Sequence, residues 1–275
     1  MSLSQTGHSV IETFKRDGFA RLSKLVPGII IARAHAAVPD VIASAERIFG
    51  RCQDCGGVHY DFAERDCGNL TRPFVQLFNA WALHPAFRDL VFHPSISQAA
   101  RALLKCQEVR LIHDQLLIKR PGDLPTSAHI DGNYWPFDGP AFTFWVPLVD
   151  VSIAMGTVQF YRGTHLRDIA RARLQAADEE TASRVIANWI AEQQLEPEGF
   201  ELRQGDVTIH DKWTIHCTQA NASSITRVVL AIHVMDARSK RFEALGPMQR
   251  GHVDLFHWQG IPSAAELYGA ICPVM

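Results

Sequence analysis

The pattern of hydrophobic and polar positions changes after residue 105. Before that point, apolar residues mostly recur at helical spacing, which predicts helices at residues 9–16, 29–49 and 95–104 and a short strand at 19–22. After it, runs rich in Val, Ile, Phe, Thr and Trp predict strands at residues 109–119, 142–148, 157–161, 206–210 and 227–235. A further helix is predicted at residues 177–193. This order indicates a mainly β protein with flanking helices, built on an antiparallel sandwich or jelly roll.

Length and charge narrow the possible functions. The 275 residues, of which 47% are hydrophobic, can bury one large core, so we expect a single domain over residues 1–275. Its helical N-terminal part, about 1–105, would pack on a jelly-roll core at about 106–240. The net charge is −2 and no basic run stands out, which argues against nucleic acid or a membrane surface as a partner. We find no signal peptide and no apolar run of ~20 residues, and therefore predict a cytoplasmic protein of undetermined oligomeric state.

The six cysteines are few for this length and are expected to be free thiols. Three of them, Cys52, Cys55 and Cys67, lie with His59 in one Gly- and Asp-containing segment, CQDCGGVHYDFAERDC. A zinc site is an alternative, but one CxxC with a separate His and Cys is a weak zinc pattern.

The segment TSAHIDG carries the strongest chemical signal in the sequence. Residues two apart on an extended strand point to the same face, so His129 and Asp131 would lie side by side. An imidazole and a carboxylate so placed can occupy neighbouring positions on a metal. A second imidazole would complete the facial triad that is typical of non-haem Fe(II) oxygenases. With 13 histidines in the chain, an HxD pattern by itself carries little weight.

The third ligand must come from another strand. His216, in GDVTIHDKWTIHCTQAN, is the best candidate, and His210 in the same segment is its rival. The other nearby histidines, His113, His165 and His233, are more typical of core or loop positions.

Arg227 begins the last predicted strand. A dicarboxylate that chelates iron extends its far carboxylate away from the metal, and a guanidinium can bind that group with two parallel hydrogen bonds. Taken alone, an Arg at a strand end is more often a surface residue.

Several segments together resemble the phytanoyl-CoA dioxygenase family of 2-oxoglutarate oxygenases. They are, in order, FKRDGFARLSKLV, LIHDQLLIKRPG, HIDGNYWPFDGPAFTFWVPLVDV, GTVQFYRGTH and GDVTIHDKWTIHCTQANASSITRVVLAIHVMDA. The resemblance runs over most of the chain, and its specificity comes from the order and spacing of these segments.

The resemblance implies a double-stranded β-helix, or cupin-like jelly roll, that uses Fe(II), 2-oxoglutarate and O2. It favours His216 over His210 as the third ligand beside His129 and Asp131, and it assigns 2-oxoglutarate binding to Arg227. It also implies that four further residues line the co-substrate pocket: Gln115, Lys119, Trp145 and Thr218.

The candidate substrate contacts follow the HxD motif or occupy nearby loops. They are Asn133, Tyr134, Trp135, Phe137, Arg162 and Trp213. Local packing is an equally good explanation for the aromatic residues among them. Arg162 stands where the family usually has Pro; it is either a solvated loop residue or an anchor for an acidic substrate.

The expected function is oxidation of a small-molecule metabolite, with release of succinate and CO2. Asp131 favours hydroxylation or another oxidation, because related halogenases have a small residue at that position. Two alternatives remain. One is an acyl-CoA hydroxylase of the same family, which the lack of a basic cluster disfavours. The other is a non-catalytic cupin-type metal-binding protein, which would have no use for a dicarboxylate-binding Arg227.

Overall fold

A computed structural model describes residues 3–49, 74–169, 171–251 and 274–275. Within these ranges, ten strands form two antiparallel sheets. The strands are β1 Phe19–Leu22, β2 Val75–Phe78, β3 Val109–Lys119, β4 Thr126–His129, β5 Ala141–Pro147, β6 Val158–Phe160, β7 Glu198–Gly199, β8 Val207–Asp211, β9 His216–Thr218 and β10 Arg227–Asp236. The larger sheet has the order β1-β8-β5-β10-β3-β2, and the smaller has the order β4-β9-β6-β7.

Eight helices accompany the sheets in the described part of the chain. They are α1 Leu3–Asp17, α2 Gly28–Ala36, α3 Val38–Phe49, α4 Ala80–Leu83, α5 Pro85–Val91, α6 Pro94–Leu104, α7 Arg171–Gln175 and α8 Glu179–Glu192. The mainly β fold with flanking helices, predicted from the hydrophobic pattern, is confirmed.

Alternation along β10 separates two environments. Leu230 and Ile232 belong to the large core that the six-stranded sheet shares with the N-terminal helices. Val229 and Ala231 belong to a second core, which also contains Phe160 of the smaller sheet and therefore lies between the two sheets. Because successive side chains point to opposite faces, Arg227 and His233 share the inner face with Val229 and Ala231.

Two predictions about the N-terminal part need correction. The helix predicted over residues 29–49 is two helices, α2 and α3, bent by 43°. Pro39 explains the break: it has no N–H to donate and is tolerated only in the first turn of a helix, where α3 places it. In addition, β1 and the unpredicted β2 both join the larger sheet, so this part of the chain is not purely helical.

The HxD motif is also less extended than predicted. β4 ends at His129, and Asp131 opens a 3-10 turn, Asp131–Asn133.

The segment with Cys52, Cys55, His59 and Cys67 lies outside the described residues. Within the described ranges, Cys106 and Cys217 are free thiols.

Within the described ranges, no single helix has the length and apolar character to cross a membrane. Only α2 and α3, taken together across their bend, meet those criteria. Ile31, Ala34 and Val41 of this pair are fully buried in the large core.

Phe144 on β5 provides a test of the large core. Its ring is fully buried and packs edge-on against Phe142 at 5.1 Å. Phe144→Ala should lower the free energy of unfolding by about 3–5 kcal/mol, because a buried aromatic ring is lost and a cavity is left. Urea denaturation measures the change. Ile153→Ala, at an exposed position, is the control and should change stability by less than about 0.5 kcal/mol. Equal effects of the two substitutions would contradict this packing.

Candidate metal centre and co-substrate pocket

Three candidate ligands converge where β4 and β9 pair. His129 at the end of β4 lies directly opposite His216 at the start of β9. Between His129 and Asp131, the backbone of Ile130 remains extended, with φ −132° and ψ 122°. The side chains of His129 and Asp131 therefore point the same way, although Asp131 itself belongs to the turn.

The ligand atoms lie at distances that suit one metal ion. The carboxylate Oδ1 of Asp131 is 3.5 Å from Nε2 of His216 and 3.8 Å from Nε2 of His129. All three candidate ligand atoms lie within 4.8 Å of one another. Two imidazoles and one carboxylate on one side of a metal are the donor set of the facial triad, which leaves the remaining coordination positions for other ligands.

Backbone carbonyls fix the tautomer of both imidazoles. Nδ1 of His129 is 2.9 Å from the carbonyl oxygen of Ser127, and Nδ1 of His216 is 3.0 Å from that of Thr214. A carbonyl oxygen can only accept a hydrogen bond, so each Nδ1 carries the proton. Each Nε2 therefore presents its lone pair to the space beside Asp131, as a metal ligand must.

The second carboxylate oxygen of Asp131, Oδ2, is hydrogen-bonded by side chains of the larger sheet. Thr143 Oγ1 donates to Oδ2 at 2.7 Å, and Nε2 of His210 lies 3.1 Å from the same oxygen. Because the Thr143 hydroxyl gives its proton to the carboxylate, it accepts from Nδ1 of His233 at 2.8 Å. His210, the rival third ligand, thus contacts the oxygen that faces away from His129 and His216.

The electrostatics favour a charged carboxylate beside neutral imidazoles. Burial raises the pKa of Asp131, but the neighbouring His216 and His210 outweigh it and leave this pKa well below the usual value. Burial, followed by repulsion from His129 and His210, lowers the pKa of His216 well below its usual value. Burial also lowers the pKa of His233 to about 4. An anionic carboxylate and lone-pair-bearing imidazoles are the states that bind a metal cation.

Two buried cations lie on the inner face of the larger sheet. Arg227 on β10 pairs in register with Lys119 on β3, and both side chains are fully buried. Burial lowers the pKa of Arg227 to about 9, and burial together with the charge of Arg227 lowers that of Lys119 to about 7. Among the described residues, neither side chain forms an ion pair with a carboxylate. The buried carboxylate of Asp123 raises the pKa of both side chains from longer range, and a further anion beside them would offset the cost of burying two adjacent cations.

Two of the remaining predicted co-substrate residues, Thr218 and Trp145, contact these cations. Lys119 Nζ donates to Thr218 Oγ1 at 2.8 Å, and the Arg227 guanidinium lies 5.5 Å from the ring centroid of Trp145. Thr218 follows His216 by two residues on β9, which places it about 7 Å along the strand from the metal ligand. Gln115 is farther along β3, where it lines the cavity described next.

A cavity of about 400 Å³ opens onto the ligands. Four aromatic side chains contribute to its walls, and His129 and Asp131 lie on its surface. These aromatic residues are Phe74, Phe78, Tyr134 and Trp135. Apolar walls with a few convergent polar groups are typical of small-molecule sites.

The predicted substrate contacts are only partly brought to this cavity. Tyr134 and Trp135 line it. Asn133 is buried, and its side-chain oxygen has no partner in the part of the chain that the structure describes. Phe137 stacks on Trp135 in a small core of its own.

Two other predicted substrate residues have protein partners elsewhere. Arg162 forms ion pairs with Asp17 and Glu198, which supports a structural role. The ring of Trp213 lies 4.8 Å from the guanidinium of Arg171 and packs against the same core as Tyr134, but Trp213 is not among the described residues that line the cavity.

The structure adds three residues to the site. Thr143 and Glu179 were not singled out from the sequence, and His233 was interpreted as a core or loop histidine. Strand alternation could have indicated two of them. Thr143 is two residues from Trp145 on β5, and His233 is six from Arg227 on β10, so each shares the inner face with a predicted pocket residue. Glu179 lines the cavity from α8, whose docking position has no local sequence signal.

Solved structures with a similar fold include several non-haem iron enzymes. The 2-oxoglutarate-dependent carbocyclase SnoK from nogalamycin biosynthesis has a TM-score of 0.77 at 22% identity, covering 100% of this chain and 98% of its own. The epimerase SnoN, in complex with Fe3+, 2-oxoglutarate and nogalamycin RO, has a TM-score of 0.66 at 23% identity, covering 88% of this chain and 86% of its own. EvdO2 from Micromonospora carbonacea var. aurantiaca, complexed with 2-oxoglutarate, has a TM-score of 0.59 at 19% identity, covering 88% of this chain and 95% of its own. These likenesses confirm the jelly-roll fold.

A separate comparison with curated proteins finds no match. The sequence profile described as phytanoyl-CoA dioxygenase (PhyH), however, matches residues 14–229. That range includes β1 through the start of β10, and hence all three candidate metal ligands together with Lys119 and Arg227. The chain therefore belongs to the phytanoyl-CoA dioxygenase family of non-haem iron, 2-oxoglutarate-dependent oxygenases.

Proposed function

We propose that this protein oxidises a small-molecule metabolite, most simply by hydroxylation, and consumes 2-oxoglutarate and O2 with release of succinate and CO2. The observation that carries the proposal is the buried pair Lys119 and Arg227 on the inner face next to the metal-ligand cluster. A protein that only stores a metal has no use for two adjacent buried cations, neither of which forms an ion pair among the described residues.

His129, Asp131 and His216 would hold the iron. Their fit rests on the donor set and on the hydrogen bonds that orient it: two fixed Nε2 lone pairs and one carboxylate oxygen left free by Thr143 and His210. When bound, iron together with 2-oxoglutarate would activate O2, the oxidant, which amino-acid side chains do not activate by themselves.

Lys119 and Arg227 would bind the far carboxylate of 2-oxoglutarate. Arg227 can donate two parallel hydrogen bonds to a carboxylate, and its Nε is buried without a partner among the described residues. Lys119 adds a second positive charge, and Thr218 holds its ammonium in place. Trp145 covers the guanidinium on one side and limits its freedom of movement.

The aromatic walls of the cavity would hold the substrate against the metal ligands and exclude water. Two of the structurally similar enzymes, SnoK and SnoN, come from the biosynthesis of nogalamycin, which supports a natural product or similar metabolite as substrate here. No lysine or arginine is among the described residues that line the cavity, so the alternative of an acyl-CoA substrate gains no support.

Substrate-stimulated turnover is the direct test. The protein would be supplied with Fe(II), ascorbate, O2 and 2-oxoglutarate, and succinate would be measured across a panel of acidic, amino-acid, terpenoid, polycyclic aromatic and acyl-CoA compounds. Stimulation by one class would support the proposal. No turnover with any compound, together with no binding of 2-oxoglutarate, would favour the cupin-type metal-binding alternative.

Replacing His129 or His216 with Ala should abolish succinate formation. Each substitution removes one of the two imidazole ligands, so the affinity for Fe(II) should fall by at least roughly 100-fold. Anaerobic calorimetric titration with Fe(II) measures the affinity. The control is His35→Ala, an exposed helical position away from the site. Near-normal metal affinity in the ligand variants would contradict the assignment.

Thr143→Val should weaken Fe(II) binding by roughly 10–100-fold, because Asp131 loses the hydrogen bond that orients its carboxylate. Because valine has nearly the same shape as threonine, the substitution should leave the fold nearly unchanged. A loss of Fe(II) affinity then reports the missing hydroxyl and not unfolding. Thr143→Ser keeps the hydroxyl and should restore most of the affinity. If the valine and serine variants bind Fe(II) equally well, Thr143 does not position Asp131.

Binding of 2-oxoglutarate should depend on pH through Lys119. The pKa of this side chain is about 7 without a bound anion, and a carboxylate beside it would raise that value. Binding above pH 7 should therefore take up a proton, and affinity should fall by up to about tenfold per pH unit. Calorimetry in two buffers with different ionisation enthalpies measures the uptake.

Lys119→Met should bind 2-oxoglutarate more weakly at neutral pH and should lose this proton uptake. Lys240→Met, at an exposed position, is the matched control and should behave as the wild type. Persistent proton uptake in Lys119→Met would assign the titration to another group.

A further inference from the structure

The mouth of the cavity carries one carboxylate from the helical insertion. Glu179 is the first residue of α8, and it lines the cavity together with Ser183 one turn later. The Tyr134 hydroxyl, from the loop that follows the metal-binding turn, donates to Glu179 Oε1 at 3.3 Å. This contact joins the insertion to the metal-ligand segment, because the Tyr134 ring packs edge-on toward His129 with centroids 6.4 Å apart.

The charges around this cavity are of one sign. Among the described lining residues, Asp131 and Glu179 are acidic and none is a lysine or arginine. Asp131 is committed to the metal-ligand cluster, whereas Glu179 has no ion-pair partner among the described residues. The adjacent Glu180 points elsewhere and lies 3.7 Å from Arg184.

The helix does not need Glu179 as a cap. Asp178 caps α8 by accepting from the backbone N–H of Thr181 at 2.8 Å, and Glu180 also supplies negative charge to the first turn. The contact of Glu179 with Tyr134 at the cavity is therefore additional to what the helix end requires.

The cavity walls suit a cation attached to an apolar body. Aromatic faces attract ammonium groups, and a carboxylate beside them adds a directional partner. Phe74, Phe78 and Trp135 supply apolar wall, and Tyr134 supplies both a ring and a hydroxyl next to Glu179.

We propose that Glu179 and Tyr134 form the specificity determinant of this site, which selects a substrate carrying an amine beside an aromatic or similarly flat apolar body. The ammonium group binds Glu179 and Tyr134 at the mouth, and the apolar body extends toward the metal ligands. Anionic substrates are disfavoured at the mouth, because they meet the carboxylate of Glu179 there and none of the described lining residues is a lysine or arginine. The inference rests on the proposed function, since it assumes that the cavity is the substrate site.

A probe series with one aromatic body and three charges tests it. Tryptamine is cationic, N-acetyltryptamine is neutral and indole-3-propionate is anionic. Each would be titrated calorimetrically, without O2, into protein loaded with Fe(II) and 2-oxoglutarate. We expect tryptamine to bind about tenfold more tightly than N-acetyltryptamine and indole-3-propionate to bind most weakly.

Variants assign the preference to Glu179. Glu179→Gln should reduce the affinity for tryptamine by about tenfold while changing that for N-acetyltryptamine little, and Tyr134→Phe should produce a smaller loss of the same kind. Glu180→Gln removes the neighbouring charge and should leave the preference intact. Melting temperatures of the variants report any loss of folding.

Three outcomes would overturn the inference: equal binding of tryptamine and N-acetyltryptamine by the wild type, no measurable binding of tryptamine, or an unchanged preference in Glu179→Gln. Binding of 2-oxoglutarate to the same preparations separates this inference from the proposed function. If 2-oxoglutarate binds and the amine preference is absent, only the inference about specificity fails. If 2-oxoglutarate does not bind, the proposed function fails as well.

Discussion

The site depends on the different partners of the two carboxylate oxygens of Asp131. Oδ2 accepts from Thr143 and His210 within the interior, which leaves Oδ1 directed toward His129 and His216. A carboxylate with both oxygens free could rotate or bind a metal through both. The hydrogen bonds to Oδ2 prevent this, and they require β5 and β8 to lie behind the turn that carries Asp131. The metal-ligand geometry is therefore a property of the two-sheet arrangement rather than of the HxD motif alone.

The interior between the sheets combines this polar cluster with an apolar core, and the boundary follows strand alternation. On β10, Val229 and Ala231 lie between the buried Arg227 and the buried His233. Such polar groups cost stability unless they are paired. Thr143, His210 and His233 form hydrogen bonds around Asp131. Lys119 and Arg227 form no ion pair among the described residues, and the buried Asp123 acts on both only at longer range. A bound dicarboxylate would offset that cost, so binding of the co-substrate should also stabilise the fold.

The sequence predicted those helices and strands that are determined mainly by the residues within them. The strands β3 and β10 match their predicted ranges to within one residue, since long β-branched runs bounded by turn residues are unambiguous. The break between α2 and α3 was missed although Pro39 indicates it, and β2 was missed because four residues at a sheet edge depend on their partner strand. The three candidate metal ligands were identified from spacing and family resemblance, and the structure brings them together. Strand alternation indicates that Thr143 lies on the inner face, but the contacts of Thr143 and His210 with Asp131 could not be predicted, because they depend on how separate strands are arranged in the fold. Glu179 was missed for a similar reason, since its position depends on where α8 docks.

The central claim is that the metal-ligand cluster and the buried cations form one site for iron and 2-oxoglutarate. Anaerobic titration of 2-oxoglutarate into the Fe(II)-loaded protein tests it most directly, because chelation of Fe(II) by the 2-oxo acid produces a weak visible charge-transfer absorption. We predict that this absorption appears and saturates for the wild type, and that Arg227→Gln shifts its midpoint to much higher 2-oxoglutarate concentration. An Fe(II)-loaded protein that never develops the absorption, or an Arg227→Gln variant that saturates at the wild-type concentration, would contradict the account.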